Sequence, residues 1–255
     1  MSDPARRVAL ITGASYGIGA AAARALAADG CDVAVTDLAT DSLAATAAAV
    51  AAEGGAALPL ALDLRAQASV ETALAATLAR FGRIDVLVNN AGVPLVKPAI
   101  EITRADWEQA IEVNLTGAFF MSQAVGRHWI ETSRPGERSG AIVSLSSTHG
   151  TVGFAGVAGY GIAKAGISHM TRILAIEWAA HGIRVNAVAP GTTETESRAK
   201  ILADPIRRRT MTERIPLKRF ARAEEIAEAI RWLASPASAY VTGQVMLVDG
   251  GLTAY

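Results

Sequence analysis

The segment from residue 8 to residue 28 restricts the fold more than any other part of the sequence. The short β-branched run Val8–Thr12 leads into a turn with glycines at positions 13, 17 and 19, and the alanine-rich segment Ala20–Ala28 follows. A strand, a glycine turn and a helix in this order direct free backbone N–H groups and a positive dipole end at a phosphate. The G-x3-G-x-G spacing differs from the usual dinucleotide pattern, and no Gly-Lys pair of a P-loop follows. We therefore expect nucleotide binding here, at the start of an α/β fold, in preference to a simple glycine turn.

A second predicted strand, Asp32–Asp37, ends in an acidic residue about twenty positions after the glycine turn. A carboxylate at that point can accept a hydrogen bond from a ribose 2′-OH. It would repel a 2′-phosphate by up to about 4 kcal/mol per pair of unit charges at roughly 4 Å and an effective dielectric constant of about 20. The neighbouring residues are all neutral: Ser15, Tyr16, Thr36 and Leu38. The pattern therefore favours NAD over NADP. The alternative is that Asp37 only caps the next helix, but Asp41 is better placed for that role.

Strand-like and helix-like segments alternate along the rest of the chain. The further predicted strands are Ala57–Leu62, Ile84–Val88, Ala141–Leu145, Arg184–Ala189 and Gln244–Val248. The predicted helices cover residues 41–53, 67–81, 103–132 and 223–233, together with a helix that starts at Gly159 and stops at Gly182. No linker, repeat or low-complexity segment interrupts the 255 residues. This alternation predicts one doubly wound α/β domain over residues 1–255 with a mostly parallel sheet.

Tyr160 and Lys164 stand four residues apart in the helix that starts at Gly159. Residues at this spacing share one helix face, so the phenol and the ammonium can share one site. An isolated tyrosine has a pKa of about 10, and lowering it to about 7 takes about 4 kcal/mol, which a partly desolvated cation can help to supply. Ser147 lies thirteen residues upstream and can offer a hydroxyl. The alternative is a surface tyrosine and lysine on an ordinary helix.

Polar residues follow two further strands and interrupt one helix. Asp63 and Leu64 come after the third strand, where the carboxylate could accept a bond from an adenine amine or serve only as a turn residue. Residues 89–92 (NNAG) follow the fourth strand, where amides can join strand ends and Gly92 leaves room for a cofactor. Asn114 is locally unfavourable inside a helix. We expect a bent helix whose freed carbonyl binds water; the alternative is a polar residue that faces solvent.

Residues 192–222 carry nine lysines and arginines against four acidic residues. A long charged excursion after a strand end is typical of a lid over a substrate. The alternative is a solvated helix with scattered charge.

Composition excludes several classes of protein. The 24 basic and 24 acidic residues balance, so we expect no nucleic-acid partner and no acidic membrane partner. The single cysteine, Cys31, cannot form an intrachain disulfide, and the absence of long apolar runs predicts a soluble, cytoplasmic protein. The four histidines are scattered, so we expect no metal site. No G-x-S-x-G motif occurs, so we do not interpret Ser147 as the nucleophile of a hydrolase.

The motifs occur together in one order: TGASYGIG at 12–19, NNAG at 89–92, Asn114, Ser147 with Y-x3-K at 160–164, PG at 190–191 and VDGG at 248–251. This set strongly resembles the short-chain dehydrogenase/reductase family, and the likeness runs from about residue 6 to the end of the chain. The resemblance implies a Rossmann-type fold of seven parallel strands. It also implies a homotetramer that pairs through the 103–132 and 159–180 helices and the last strand.

The resemblance implies catalytic roles by position. Tyr160 would be the general acid/base, and Lys164 would bind the nicotinamide ribose and lower the pKa of Tyr160. Ser147 would hold the reacting oxygen, and Asn114 would anchor a proton-relay water. His149 and Val152 are candidates for the substrate pocket, although His149 could equally be a turn histidine.

The implied cofactor contacts lie at the ends of several strands. They are Gly13, Ser15, Tyr16, Gly17, Ile18 and Gly19 in the glycine turn, Asp37 and Leu38, Asp63 and Leu64, Asn90, Ala91 and Gly92, Tyr160 and Lys164, and Pro190, Gly191, Thr193 and Thr195.

Together these features predict an NAD-dependent dehydrogenase of secondary alcohols, with a sugar, polyol or cyclic alcohol as substrate. One alternative is a 3-oxoacyl-carrier-protein reductase that uses NADPH. Asp37 argues against NADPH, and His181 argues against this kind of enzyme because those relatives carry a basic residue at that position. An inert dinucleotide-binding sensor is the alternative from another class, and the complete Ser–Tyr–Lys set argues against it.

Overall fold

The computed structural model describes residues 6–132, 140–196 and 203–254. Its centre is a seven-stranded sheet in the order β3-β2-β1-β4-β5-β6-β9, with every neighbouring pair parallel. The strands are β1 (Arg7–Thr12), β2 (Cys31–Asp37), β3 (Ala57–Ala61), β4 (Val86–Asn89), β5 (Gly140–Leu145), β6 (Ile183–Pro190), β7 (Thr193–Glu194), β8 (Ala221–Arg222) and β9 (Val245–Val248). Strands β7 and β8 form a separate short parallel pair. The predicted Rossmann-type sheet of seven parallel strands is confirmed.

Helices cover both faces of the sheet. They are α1 (Gly17–Ala28), α2 (Ala44–Ala52), α3 (Gln67–Phe81), α4 (Arg104–Ile111), α5 (Gly117–Thr132), α6 (Ala158–Trp178), α7 (Pro205–Glu213) and α8 (Ala223–Ala234). Helices α1, α2 and α8 pack on one face, and α3, α5 and α6 pack on the other. The two apolar layers between helices and sheet form the core.

The central strands are buried on both sides, which explains their continuous apolar sequences. Ile11 belongs to the cluster under α1 and α8, whereas its neighbour Leu10 belongs to the cluster under α5 and α6. Both side chains are fully buried, and each contributes roughly 1.5–3 kcal/mol to stability. This sandwiching holds the carboxyl ends of the strands in fixed positions.

Two predicted helices differ from the structure. Residues 103–132 do not form one helix, because a π-helical turn at Glu112–Thr116 separates α4 from α5. The predicted helix over 41–53 begins with a 3-10 turn at Thr40–Leu43, and α2 starts only at Ala44. Asp41 therefore lies inside the 3-10 turn, and no side chain caps α2.

The charged excursion after β6 is folded in its described parts. Helix α7 begins at Pro205, and the carboxylate of Asp204 accepts hydrogen bonds from the backbone N–H groups of Ile206 and Arg207 at 2.9 and 3.2 Å. Two of the basic residues counted from the sequence, Arg198 and Lys200, lie outside the described residues. No helix in the described ranges is both long enough and apolar enough to cross a membrane.

Candidate active site

The predicted site residues gather at the carboxyl ends of the parallel strands. The strand order reverses at β1, which has β2 on one side and β4 on the other. Open α/β sheets bind ligands in the crevice that forms at such a switch point.

Thr12 and Asn90 join the ends of β1 and β4. The Asn90 amide donates to the carbonyl oxygens of Thr12 and Gly13 at 3.0 and 2.6 Å. The Thr12 hydroxyl oxygen accepts from the backbone N–H groups of Asn90 and Ala91 at 3.0 and 3.1 Å. The prediction that side-chain amides knit strand ends matches this arrangement for Asn90. The part played by Thr12 was missed, although its position directly before Gly13 pointed to it.

The glycines of the first turn allow this close approach. A Cβ on Gly13 would lie 2.7 Å from the Ala91 Cα, and one on Gly19 would lie 2.5 Å from the Asn90 amide nitrogen. Gly13 and Gly17 also have positive φ angles of 65° and 59°, which L side chains rarely adopt. A larger residue at these positions would push the turn away from β4.

The start of α1 fits the diphosphate of NAD or NADP. Tyr16 precedes the helix without a side-chain capping bond, and the first turn contains no acidic residue. Among the residues that the structure describes, no side chain accepts from the first N–H groups of α1, and these groups form the positive end of the helix dipole. Thr195 lies beside this turn, with its methyl carbon 3.1 Å from the place of a Cβ on Gly17. Ile18 packs partly into the core, so it can offer only its backbone.

Asp37 faces the glycine turn from the end of β2. One carboxylate oxygen accepts from the hydroxyl and, at 3.3 Å, from the backbone N–H of Ser15. The other accepts from the backbone N–H of Leu38 at 2.8 Å. Asp37 therefore does not cap α2, and the exposed side chains of Tyr16 and Leu38 flank it.

Asp63 lies after β3 in an ion pair with Arg65 at 2.7 Å. The hydrogen bond from the Arg65 side chain lowers the pKa of Asp63 below its ordinary value. An adenine amine would share this carboxylate with the guanidinium. Leu64 approaches the start of α5, with its Cβ 2.6 Å from the place of a Cβ on Gly117.

The Ser–Tyr–Lys set is brought together by β5 and α6. Ser147 follows β5 and is buried, and its hydroxyl oxygen accepts from the His149 backbone N–H at 3.1 Å. Lys164 is buried in α6, donates to the Leu145 carbonyl at 2.7 Å, and has its nitrogen 5.7 Å from the centre of the Tyr160 ring. Burial lowers the pKa of Lys164 to about 8. A cation with so little solvation acts strongly on its neighbours. The alternative of an exposed lysine on an ordinary helix is therefore wrong.

Asn114 lies in the π-helical turn with only 1% of its surface exposed, so the solvent-facing alternative is wrong. Its side-chain oxygen accepts from the Val93 N–H at 3.1 Å, and its amide donates to the carbonyls of Val93 and Ala110 at 2.9 and 2.8 Å. The predicted helix irregularity is thus a π turn. A Cβ on Gly92 would lie 2.7 Å from the Asn114 oxygen, so Gly92 leaves room for this side chain.

His149 forms part of the wall next to Tyr160. Its ring meets the Phe154 ring edge-on at 4.7 Å and the Tyr160 ring at 5.9 Å between centroids. Its Nδ1 lies 3.4 Å from the Ser147 hydroxyl oxygen. His149 is therefore both a residue of the 3-10 turn Thr148–Gly150 and a neighbour of Ser147 and Tyr160. Val152 follows in the same segment and is partly buried.

The end of β6 contributes the remaining predicted contacts. Gly191 donates its backbone N–H to Val248 at 3.0 Å, and a Cβ on it would lie 2.9 Å from the Asp249 Cα. The buried Thr193 hydroxyl donates to the Gly191 carbonyl at 3.2 Å. These contacts join the Pro190-Gly191 turn to the end of β9.

Comparisons with known proteins agree with this geometry. A family model described as enoyl-(acyl carrier protein) reductase matches residues 13–253. The cis-4-hydroxycyclohexanecarboxylate dehydrogenase of Sinomonas cyclohexanicum is 45% identical over 251 residues, which is 98% of each chain. The D-threitol dehydrogenase of Mycolicibacterium smegmatis is 40% identical over 97% of this chain and 93% of the relative. The crystal structure of a short-chain type dehydrogenase/reductase from Mycobacterium marinum is 34% identical and superposes with a TM-score of 0.91 over 98% of this chain and 96% of that one.

The chain belongs to the short-chain dehydrogenase/reductase family. It is an oxidoreductase of secondary alcohols and ketones that uses a nicotinamide dinucleotide.

In this short-chain dehydrogenase/reductase, two buried serines link the end of β5 to α6 next to Ser147 and Lys164. The Ser146 hydroxyl donates to the Lys164 carbonyl at 3.0 Å and lies 2.7 Å from the Ser168 hydroxyl. A Cβ on Gly150 would lie 2.6 Å from the Lys164 carbonyl carbon, so the turn after Ser147 rests directly on α6. The sequence reasoning missed these supports, because single small residues leave no periodic pattern.

Proposed function

We propose that this enzyme transfers a hydride between a secondary alcohol or ketone and NAD(H), with Tyr160 as the general acid/base. The buried Lys164 ammonium beside the Tyr160 ring is the observation that carries the proposal. A bound nicotinamide supplies or accepts the hydride. In oxidation, the Tyr160 phenolate takes the proton of the substrate hydroxyl. In reduction, the Tyr160 phenol donates a proton to the developing alkoxide, and the Ser147 hydroxyl stabilises that charge.

Lys164 and Asn114 support the proton transfer in this proposal. The Lys164 ammonium favours the phenolate and would hold the nicotinamide ribose. Asn114 fixes the π turn through its bonds to Val93 and Ala110. A π turn leaves backbone carbonyls without their usual helical partners. We assign to the Asn114 carbonyl the water that relays protons to solvent.

A tyrosine-to-phenylalanine exchange tests the assignment of Tyr160. General acid–base catalysis contributes about 10²- to 10⁴-fold, so Tyr160→Phe should lower kcat for NAD⁺ reduction by at least about 100-fold. Binding of NADH, followed by fluorescence titration, should persist. Tyr240 is fully exposed, so Tyr240→Phe is a matched control that should leave kcat unchanged. Unchanged turnover in Tyr160→Phe would overturn the assignment of Tyr160, and a wild type that turns over no alcohol or ketone while it still binds NADH would favour the inert dinucleotide sensor.

The cofactor proposal is NAD in preference to NADP. Asp37 supports it, because its carboxylate lies beside Ser15 at the predicted ribose position. A solved structure from Agrobacterium tumefaciens that is 36% identical to this chain holds bound NADP, so the preference for NAD is proposed from Asp37 and not from the relatives. The values of kcat/KM for NAD⁺ and NADP⁺ with one substrate test the preference. A higher value for NADP⁺ would overturn it.

The substrate proposal is a small polar secondary alcohol, such as a sugar, a polyol or a cyclic alcohol. The relatives that act on D-threitol and on a hydroxycyclohexanecarboxylate support this class. The second candidate is a 3-oxoacyl-carrier-protein reductase, because such an enzyme from Synechocystis is 41% identical over 252 residues. Asp37 argues against this candidate, because such an enzyme uses NADPH and the Asp37 carboxylate would repel the 2′-phosphate of that cofactor. A screen of NAD⁺ reduction over sugars, polyols, hydroxy acids and cyclic alcohols separates the two.

Two further features belong to the proposal. The segment 192–222 acts as a substrate lid within the single domain, which its position after β6 and its short β7–β8 pair support. The subunits form a homotetramer, which the exposed apolar side chains on α5 and α6 support. We place the protein in the cytoplasm, as the sequence predicts.

A further inference from the structure

Two groups of His149 reach the Ser147 hydroxyl. The His149 backbone N–H donates to the Ser147 hydroxyl oxygen at 3.1 Å, and the ring nitrogen Nδ1 of His149 lies 3.4 Å from the same oxygen. Ser147 occupies the N-cap position of the 3-10 turn that contains His149, which explains the backbone bond. The ring contact depends in addition on the side-chain rotamer of His149. His149 is therefore placed to set the direction in which the Ser147 hydroxyl points.

The proton on Nδ1 decides what the Ser147 hydroxyl can do. A serine hydroxyl has one proton to donate and two lone pairs that accept. If Nδ1 carries a proton, His149 occupies both lone pairs of Ser147, and the Ser147 proton is donated elsewhere. If Nδ1 carries no proton, the Ser147 proton goes to Nδ1, and a lone pair is left for the substrate. Only the first arrangement offers a donor to the alkoxide that develops on the substrate.

The ring and the backbone of His149 are both held in place. The ring meets the Phe154 ring edge-on at 4.7 Å and the Tyr160 ring at 5.9 Å between centroids. A Cβ on Gly161 would lie 2.9 Å from the His149 carbonyl oxygen, so the backbone of the turn rests on α6. Ser147 is buried, and a hydrogen bond is electrostatically stronger in buried surroundings than in water. A donor with so little freedom loses little conformational entropy when it orients the hydroxyl.

We propose that His149 is a positioning residue: its Nδ1–H group donates to Ser147, so that the Ser147 hydroxyl acts only as a donor to the reacting oxygen of the substrate. This inference rests on the proposed function and adds one residue to it. Ser147 touches the substrate, whereas His149 acts through Ser147. The effect is the same in oxidation and in reduction, because both directions pass through one transition state.

Two exchanges separate the Nδ1–H group from the ring. His149→Asn keeps a side-chain N–H near the position of Nδ1 and loses the ring, whereas His149→Phe keeps a ring and loses the donor. The rate of NADH formation is measured in single turnovers with the alcohol that the wild type oxidises fastest among D-threitol, gluconate, cyclohexanol and cis-4-hydroxycyclohexanecarboxylate. We expect His149→Phe to lower this rate by about 10- to 100-fold and His149→Asn to lower it by less than about threefold.

The outcome of this pair of exchanges has a control and a contrary result. Phe154→Leu removes a ring contact of His149 without removing the donor, so it should change the single-turnover rate by less than about threefold. A rate that His149→Phe retains and His149→Asn loses would show that the ring matters and the donor does not, which would overturn the proposal.

A double-mutant cycle tests whether His149 acts through Ser147. Ser147→Ala removes the hydroxyl and should lower the single-turnover rate by about 10²- to 10³-fold. In the Ser147→Ala background, His149→Phe should lower the rate by no more than about a further twofold, because the hydroxyl that His149 orients is gone. Equal losses from His149→Phe in both backgrounds would show that His149 acts independently of Ser147, against the proposal.

The proton on Nδ1 is also measured without turnover. Two-bond ¹H–¹⁵N spectra of the cofactor-bound enzyme with ¹⁵N-labelled histidine show which ring nitrogen carries a proton, and the spectrum of His149→Asn identifies the signals of His149. This measurement decides the question even where His149→Phe fails to fold. An unprotonated Nδ1 would overturn the proposal and leave the proposed function standing. If the wild type oxidised none of the four alcohols with NAD⁺ or NADP⁺, the proposed function would fall first and this inference with it.

Discussion

Lys164 combines a positive charge with one of the least hydrated positions in the molecule. Its side chain is buried in α6, and its ammonium donates to the Leu145 carbonyl at 2.7 Å. Burial disfavours the charged form, which lowers the pKa of Lys164 to about 8. The same burial strengthens the action of the cation on Tyr160, because little water screens the charge. In the proposed mechanism, Lys164 therefore serves catalysis at the expense of stability.

The pH dependence of the unfolding free energy tests whether the buried charge of Lys164 lowers stability. The unfolded lysine keeps its proton up to a pKa of about 10.4, whereas the folded one loses it near 8, so the unfolded state binds more protons between these values. Stability should therefore rise as the pH rises from about 8 to about 10.5, by at most about 3 kcal/mol relative to Lys164→Met. Urea unfolding of the cofactor-free protein at pH 7.5 and at pH 10 measures the difference. A gap between wild type and variant that does not change with pH would contradict the prediction.

At the scale of elements, the site depends on the contact between α6 and the 3-10 turn Thr148–Gly150. Gly150 touches the Lys164 backbone, and Ser146 donates to the Lys164 carbonyl. This contact sets how far Ser147 stands from Tyr160, because Ser147 directly precedes the 3-10 turn and Tyr160 lies in the first turn of α6. The spacing of the proposed catalytic residues thus depends on packed backbone and on two serine hydroxyls.

Two glycine-to-alanine exchanges test this contact. In Gly150→Ala the new Cβ would lie 2.6 Å from the Lys164 carbonyl carbon, and neither backbone can yield without a shift of the turn. We expect a loss of about 1–3 kcal/mol in unfolding free energy and a fall in kcat of about 100-fold, since a shift near 1 Å disturbs the reacting geometry. Gly153→Ala is the matched control, because nothing lies within 4 Å of its Cβ. Equal effects of both exchanges on kcat would contradict the role of the contact.

The sequence predicted those elements that leave a periodic or glycine pattern. Strands such as β1 were predictable because burial on both faces requires a continuous apolar run. The π turn at Glu112–Thr116 was only indicated, because one asparagine marks an irregularity without giving its type. Strands β7 and β8 are two residues long and leave no pattern. The contacts of His149 with Tyr160 and of Phe154 with Arg214 were missed, because each joins side chains of separate segments that only the tertiary fold brings together.

At the scale of the whole molecule, one face of α6 remains apolar after the fold is complete. Ile162, Ile173 and Ile176 are exposed by 52, 42 and 81% of their surfaces. Their spacing along the sequence places them on one side of the helix. Phe120 on α5 and Leu247 in β9 are also exposed, by 39 and 41%. The apolar residues of α6 therefore form two faces, one toward the core and one that suits the proposed pairing of subunits.

The assembly state tests whether subunits cover this face. We expect the wild type to be a tetramer in light scattering coupled to size exclusion, and Ile176→Glu to dissociate into smaller species, because a charge would be buried without a partner. Ile206 on α7 is similarly exposed, at 78% against 81% for Ile176, but lies outside the proposed interface. Ile206→Glu should therefore remain a tetramer. A monomeric wild type at micromolar concentration would exclude the proposed assembly, and a tetrameric Ile176→Glu would show that the subunits pair through other surfaces.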